Sequence, residues 1–177
     1  MLETGSTPEE NARIKAQFYG NFFDVVLCND SGLYFDSLPL TDPRQPGLQI
    51  RTPQGRERLD DEAMISYYTD LIQSMGGKVL AYYLDGIAVY YKGALTSFME
   101  NRESARGIAF YMVDTPSSQR RIGWPLDSLS QNRTTLTYFT EQGNLPYDSS
   151  GEDSLLGNYR KRLIQFLVEA LHATPLP

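Results

Sequence analysis

The run from Lys78 to Lys92, KVLAYYLDGIAVYYK, constrains the fold more than any other stretch of the chain. It is rich in the strand formers Val, Ile and Tyr and holds Asp85-Gly86 at its middle. That dipeptide favours a two-residue type I′ turn, because both central positions tolerate positive φ. The spacing therefore predicts a hairpin in which Leu84 faces Ile87, Tyr82 faces Val89 and Leu80 faces Tyr91. Side chains alternate along a strand, so these six would share one side. Val79, Ala81, Tyr83, Ala88 and Tyr90 collect on the other. Neither side is polar at alternate positions, which places the hairpin at the centre of a sheet covered on both faces.

The rest of the chain supplies the covering. Residues 1–6 read as a flexible leader before a single domain over 7–174. Thr7-Pro8-Glu9-Glu10 is a helix start, with Thr7 as cap, Pro8 in the first turn and Glu10 completing a capping box. Ile14, Phe18, Phe22 and Val25 continue it at helical spacing. Beyond Gly20-Asn21 the helix either runs on to about Cys28 or gives way to a strand; the long helix, 8–27, is preferred. Asn29-Asp30-Ser31-Gly32 reads as a turn, followed by a short strand over 33–38. Asp60 caps a second helix, 61–75, with Met64, Ile65, Tyr68, Leu71, Ile72 and Met75 on one face. After the hairpin come a charged turn (100–106), a strand over 107–113 and a Thr-rich strand over 133–141. Residues 143–149 read as a turn. Ser150 and Asp153 open a last helix, 151–173, which stops before Pro175. The order predicts an α+β fold with a mainly antiparallel sheet of about four to six strands and three helices packed on it.

Two connections are long, 39–59 and 115–133. They carry Arg51, Arg56, Arg58, Arg120, Arg121 and the only tryptophan, Trp124. Arginine forks bind carboxylates and phosphates in pairs. If the loops meet, they form an anion or acidic-partner site. Tyr83, Tyr90 and Tyr111 on the strands add a tyrosine-rich face of the kind enriched in binding surfaces.

Composition narrows the chemistry. A net charge of −6 argues against general binding to nucleic acid or anionic membranes. No apolar run approaches the length that spans a bilayer. With one cysteine, Cys28, no internal disulfide forms, which leans towards a reducing, cytoplasmic setting. A single histidine, His172, near the end of the last helix makes a Ser-His-Asp or Cys-His constellation an unpromising reading. Asp24, Asp30, Asp36 and Asp42 recur every six residues but lack the grammar of a calcium loop, so they read as solvated turn residues and no metal site is expected. No phosphate-cradling glycine motif is present, and no cofactor is expected.

These readings lead to a non-catalytic protein-binding module of the chaperone, adaptor or inhibitor/immunity type, with another protein as partner and a homodimer as one form. The alternative is a small-molecule or anion-binding α+β domain. An enzyme using carboxylates without histidine ranks third.

Overall fold

The computed structural model describes residues 3–141 and 155–172. The elements run α1 (Pro8–Tyr19), β1 (Val25–Phe35), α2 (Asp61–Ser74), β2 (Lys78–Tyr91), β3 (Ala94–Met99), α3 (Arg102–Gly107), β4 (Phe110–Val113), β5 (Ser130–Gln131) and α4 (Leu155–His172). The strands form a five-stranded antiparallel sheet in the order β1-β2-β4-β5, with β3 paired to β2. The α+β class and the antiparallel sheet are as the sequence predicts.

The chain divides into two compact units, Met1–Gly32 with Tyr83–Gly107 and Ser150–Pro177, and Leu33–Tyr82 with Ile108–Ser149. In the first, the two faces of the sheet are read directly from strand alternation. Gly86, Ala88 and Tyr90 of β2 pair with Met99, Ser97 and Leu95 of β3. This face carries α1. Ala12 and Ala16 are fully buried against Val26 and Ala88, with Cys28, Tyr90 and Leu95 packed round them. Two alanines four residues apart present no bulk, so the helix approaches the strands closely. Arg13 Nη1 donates to Ser97 Oγ at 2.9 Å, and Ser97 Oγ donates to Glu9 Oε1 at 2.5 Å. The opposite face carries α4. There Phe98 of β3 stacks on Phe166 at 5.7 Å and meets Tyr159 at 6.5 Å.

In the second unit, α2 buries Met64, Ile65, Tyr68 and Ile72. The capping reading holds, since Asp60 Oδ1 accepts from Ala63 N at 2.8 Å. The first half of β2 pairs with β4, Lys78 opposite Val113 and Ala81 opposite Phe110. Leu33, Phe35, Tyr82, Met112 and Leu129 complete a fully buried core.

Several expectations are corrected. Asp85-Gly86 is not a turn but the middle of one continuous strand, and the hairpin turns at Lys92-Gly93, both at positive φ (47° and 89°). Leu84 and Ile87 are buried, as expected, but on opposite faces. The first helix ends at Tyr19, not near residue 27. Asn21 Nδ2 donates to the carbonyls of Gln17 and Phe18, ending the helix, and β1 begins at Val25. Asn29 to Gly32 lie within that strand rather than in a turn. A short helix, α3, replaces the charged turn, with Asn101 Oδ1 accepting from Ser104 N at 2.8 Å. The Thr-rich strand does not form. Asn132 Oδ1 accepts from Thr134 N and Thr135 N, an Asx turn that diverts the chain. The turn over 143–149 and the cap at Ser150 and Asp153 lie outside the described residues.

Candidate active site

Alternation along β1 turns Val26, Cys28 and Asp30 towards α1, while helical spacing puts Asn11 and Lys15 on one edge of that helix. The result is a compact polar group beside an apolar packing. Asp30 Oδ2 accepts from Asn11 Nδ2 at 2.9 Å, and Asp30 Oδ1 accepts from Lys15 Nζ at 2.9 Å. Lys15 Nζ also lies 3.4 Å from Glu3 Oε1. Asn11 is only 4% exposed. Its own carbonyl oxygen Oδ1 accepts from Gly5 N at 2.8 Å, which leaves the amide N–H groups for Asp30. The carboxylate is thus aimed by one neutral and one charged donor.

The start of α1 is built to hold this arrangement. Thr7 Oγ1 accepts from Glu10 N, and Glu10 Oε2 accepts from the backbone and hydroxyl of Ser6 at 2.6 and 2.7 Å. Those Ser6 hydrogen bonds hold the Glu10 carboxyl below its ordinary range. For Lys15, burial works against the charge, but the hydrogen bond and field of Asp30, aided by Glu3, outweigh it and keep the ammonium above its ordinary value. Burial pushes the Cys28 thiol up, which makes it a poor nucleophile.

Chemically, a fixed ammonium and an oriented carboxylate on one edge suit reactions on a polyanion. The lysine neutralises charge and the carboxylate accepts a proton. Asn11 and Lys15 do not stand out in the sequence, and Asp30, expected as a solvated turn residue in the Asp24–Asp42 series, is instead a half-buried strand residue held by both of them. The usable signal was the period of two along β1: with Val26 and Cys28 facing inward, Asp30 must follow them.

The sequence-chosen residues fall elsewhere. The two long loops do meet, within the second unit. Arg51 Nη2 donates to the carbonyl of Gly123 at 3.1 Å and lies 2.9 Å from Asp61 Oδ1, while Gly123 N donates to Asp61 Oδ2 at 2.8 Å. Arg120 pairs with Glu62 at 3.0 Å and also donates to the carbonyl of Ser117. Arg121 pairs with Asp127 at 2.7 Å. The Arg56 guanidinium lies over the Tyr67 ring, 5.5 Å from its centroid, and Arg58 is exposed. Trp124 is 65% exposed, beside Ile122 at 95%. Tyr111 lies under Lys78, whose Nζ is 3.8 Å from the ring centroid. Tyr83 and Tyr90 are an odd number of residues apart on one strand and so point to opposite faces of β2. The tyrosines do not form one surface. Among the described residues, no group of three or more His, Cys, Asp or Glu is placed to hold a metal ion, and no helix is long and apolar enough to cross a membrane.

The model of the Ham1 family matches residues 1–124, which contain the whole Asn11–Lys15–Asp30 group. No curated protein matches. Among solved structures, the Staphylococcus aureus Ham1 protein is similar at a TM-score of 0.63 and 21% identity, over 94% of this chain and 79% of that one. A HAM1 protein from Coxiella burnetii gives 0.62 and 19%, over 96% and 80%. The nucleoside-triphosphatase, dITP/XTP pyrophosphatase, of Mycobacterium abscessus gives 0.57 and 20%, over 95% and 80%. The family match overturns the expectation of a non-catalytic protein-binding module whose partner is another protein, and with it the leaning against an enzyme. Composition misled here, because scarce histidine and cysteine do not by themselves exclude catalysis.

Proposed function

Since this chain belongs to the Ham1 family, we propose that it is a nucleotide-hydrolysing enzyme, cleaving a nucleoside triphosphate to a monophosphate and pyrophosphate. The observation that carries this reading is the Asn11–Asp30–Lys15 group, buried at its amide end and charged at the other. The name of the Mycobacterium abscessus structure supports substrates of the dITP and XTP type. A cytoplasmic setting, where nucleoside triphosphates are abundant, belongs to the same proposal.

In this mechanism Asp30 takes a proton from a water that attacks the α-phosphorus. The new P–O bond forms as the bond to the bridging oxygen breaks, and pyrophosphate leaves with the electron pair. Lys15 sets its positive charge against the phosphate oxygens as charge builds there. Asn11 holds the carboxylate in line. A magnesium ion held by the substrate's own phosphates would supply further neutralisation of their charge. The arginine-bearing loops enter the proposal as an anion-recognising surface of their own unit. Its support is the Arg51–Gly123 contact that joins them, with exposed Trp124 alongside.

The test is pyrophosphate release from dITP, XTP, GTP and ATP in the presence of magnesium. Wild-type protein is expected to turn over at least one of them. Asp30→Asn and Lys15→Met are each expected to lower kcat/KM by about 100-fold or more. Wild-type protein inert on all four, or an Asp30→Asn variant as active as wild type, would overturn the reading.

A further inference from the structure

Strand β1 is gripped on both faces at consecutive residues. Asp30 faces α1. Ser31, the next residue, faces the other way, and its Oγ donates to Asp85 Oδ1 at 2.5 Å. The second oxygen of Asp85, Oδ2, receives the hydroxyl of Tyr159 from α4 at 3.4 Å. The backbone carbonyl of Asp85 accepts from Glu100 N at 2.9 Å, at the end of the β2–β3 pairing. Glu100 is 4% exposed and its Oε1 accepts from Arg162 Nη2, again from α4, at 2.7 Å. One aspartate therefore joins three strands and a helix.

We propose that Asp85 is a positioning residue for Asp30, acting through the Ser31 hydroxyl. The inference rests on the reading of Asp30 as the proton acceptor. Its physical basis is the geometry of a strand. Residues i and i+1 flank one rigid peptide plane and, in a strand, point to opposite faces, so holding the side chain of one restrains the Cα–Cβ direction of the other. The Ser31–Asp85 bond is charge-assisted, roughly twice as strong as a neutral one. It restrains β1 from the face that Asn11 and Lys15 do not reach. Tyr159 is suited to its part: burial, with the negative charges of Asp85 and Glu100, pushes its phenol up, so the hydroxyl remains a donor across the physiological range. Glu100, just past the end of β3, feels the charges of both Arg162 and Asp85.

The experiment compares Ser31→Ala, Ser31→Thr, Asp85→Ala and the double variant Ser31→Ala/Asp85→Ala. Steady-state kinetics of pyrophosphate release are read beside the NMR signals of the Asn11 side-chain amide, which donates to Asp30 and reports its placement without turnover. Ser31→Ala and Asp85→Ala are expected to lower kcat by about tenfold to a hundredfold, with KM little changed, because misplacement acts on the chemical step. Both are expected to shift the Asn11 amide signals. The double variant should be no worse than Asp85→Ala, since one linkage is broken once. Ser31→Thr, which keeps the hydroxyl, should restore both readouts. Should Asp85→Ala fail to fold, Ser31→Ala alone decides. Wild-type kcat and unmoved Asn11 signals in Ser31→Ala would overturn the proposal. If the wild type lacks turnover while the Asn11 signals still respond, the positioning stands and only the catalytic use of Asp30 falls.

Discussion

A Cβ added to Gly86 would lie 2.2 Å from the backbone nitrogen of Glu9, so the first turn of α1 rests directly on the backbone of β2. The obstacle is main chain on both sides and has no side chain that could swing away. Gly86→Ala is therefore expected to cost at least about 1–3 kcal/mol, the range for overpacking a close-packed contact. Urea denaturation measures it. An alanine variant as stable as wild type would show that α1 does not sit where the strand demands.

The hairpin turn at Lys92-Gly93 places a lysine at φ 47°. Left-handed backbone costs an ordinary residue about 1 kcal/mol, and asparagine much less. Replacing Lys92 with Asn makes the Asn-Gly pair that a type I′ turn prefers, and should stabilise the protein by about 0.5–1 kcal/mol in the same urea experiment. The Lys92 ammonium lies 4.9 Å from the Tyr91 ring centroid, an exposed contact whose loss takes back only part of the gain. No gain, or a loss, would argue against this turn.

Glu100 makes stability depend on pH. Burial pushes its carboxyl up from the ordinary 4.5, while the Arg162 charge pulls the other way without cancelling it. A carboxyl raised in the folded state binds protons more tightly there than in the unfolded chain. Its contribution is thus full below the ordinary value and lost as pH rises through the raised one. Glu100→Gln removes that dependence. Stability measured at a series of pH values should fall less steeply on rising pH in the variant than in the wild type. Parallel curves for the two proteins would contradict the assignment.

Asp61 ties the two arginine-bearing loops together. The Gly123 N–H and then Arg51 hold its carboxyl below the ordinary range. Asp61→Ala removes both partners' acceptor, and the Gly123 amide is expected to exchange with deuterium faster while α2, which buries Met64, Ile65 and Tyr68, keeps its protection. The effect on global stability should be small, because the pair is partly solvated. Unchanged exchange at Gly123 would mean that the loop is held by other contacts.

The starts of α1 and α2 were legible because a cap is local chemistry. Thr7 and Asp60 each hydrogen-bond an amide three residues on, and that spacing is visible in one dimension. The apolar run over 78–91 was legible as strand buried on both faces for the same reason: β-forming side chains with no polar alternation. Gly86 was misread because a glycine that turns the chain and a glycine that lets a helix lie on a strand look identical to local propensity. Asp30 was misread because its role lies in Asn11 and Lys15, 19 and 15 residues away.

The chain's order of residues thus settled its class and the caps of α1 and α2, since each depends on neighbours a few positions apart. Packing settled the rest. Which face of β1 meets α1, where the hairpin turns and which carboxylate meets the lysine all follow from contacts between segments distant in the chain. Such contacts are selected by burial and close approach in space; periodicity shows which residues of β1 share a face, but not which partner that face meets.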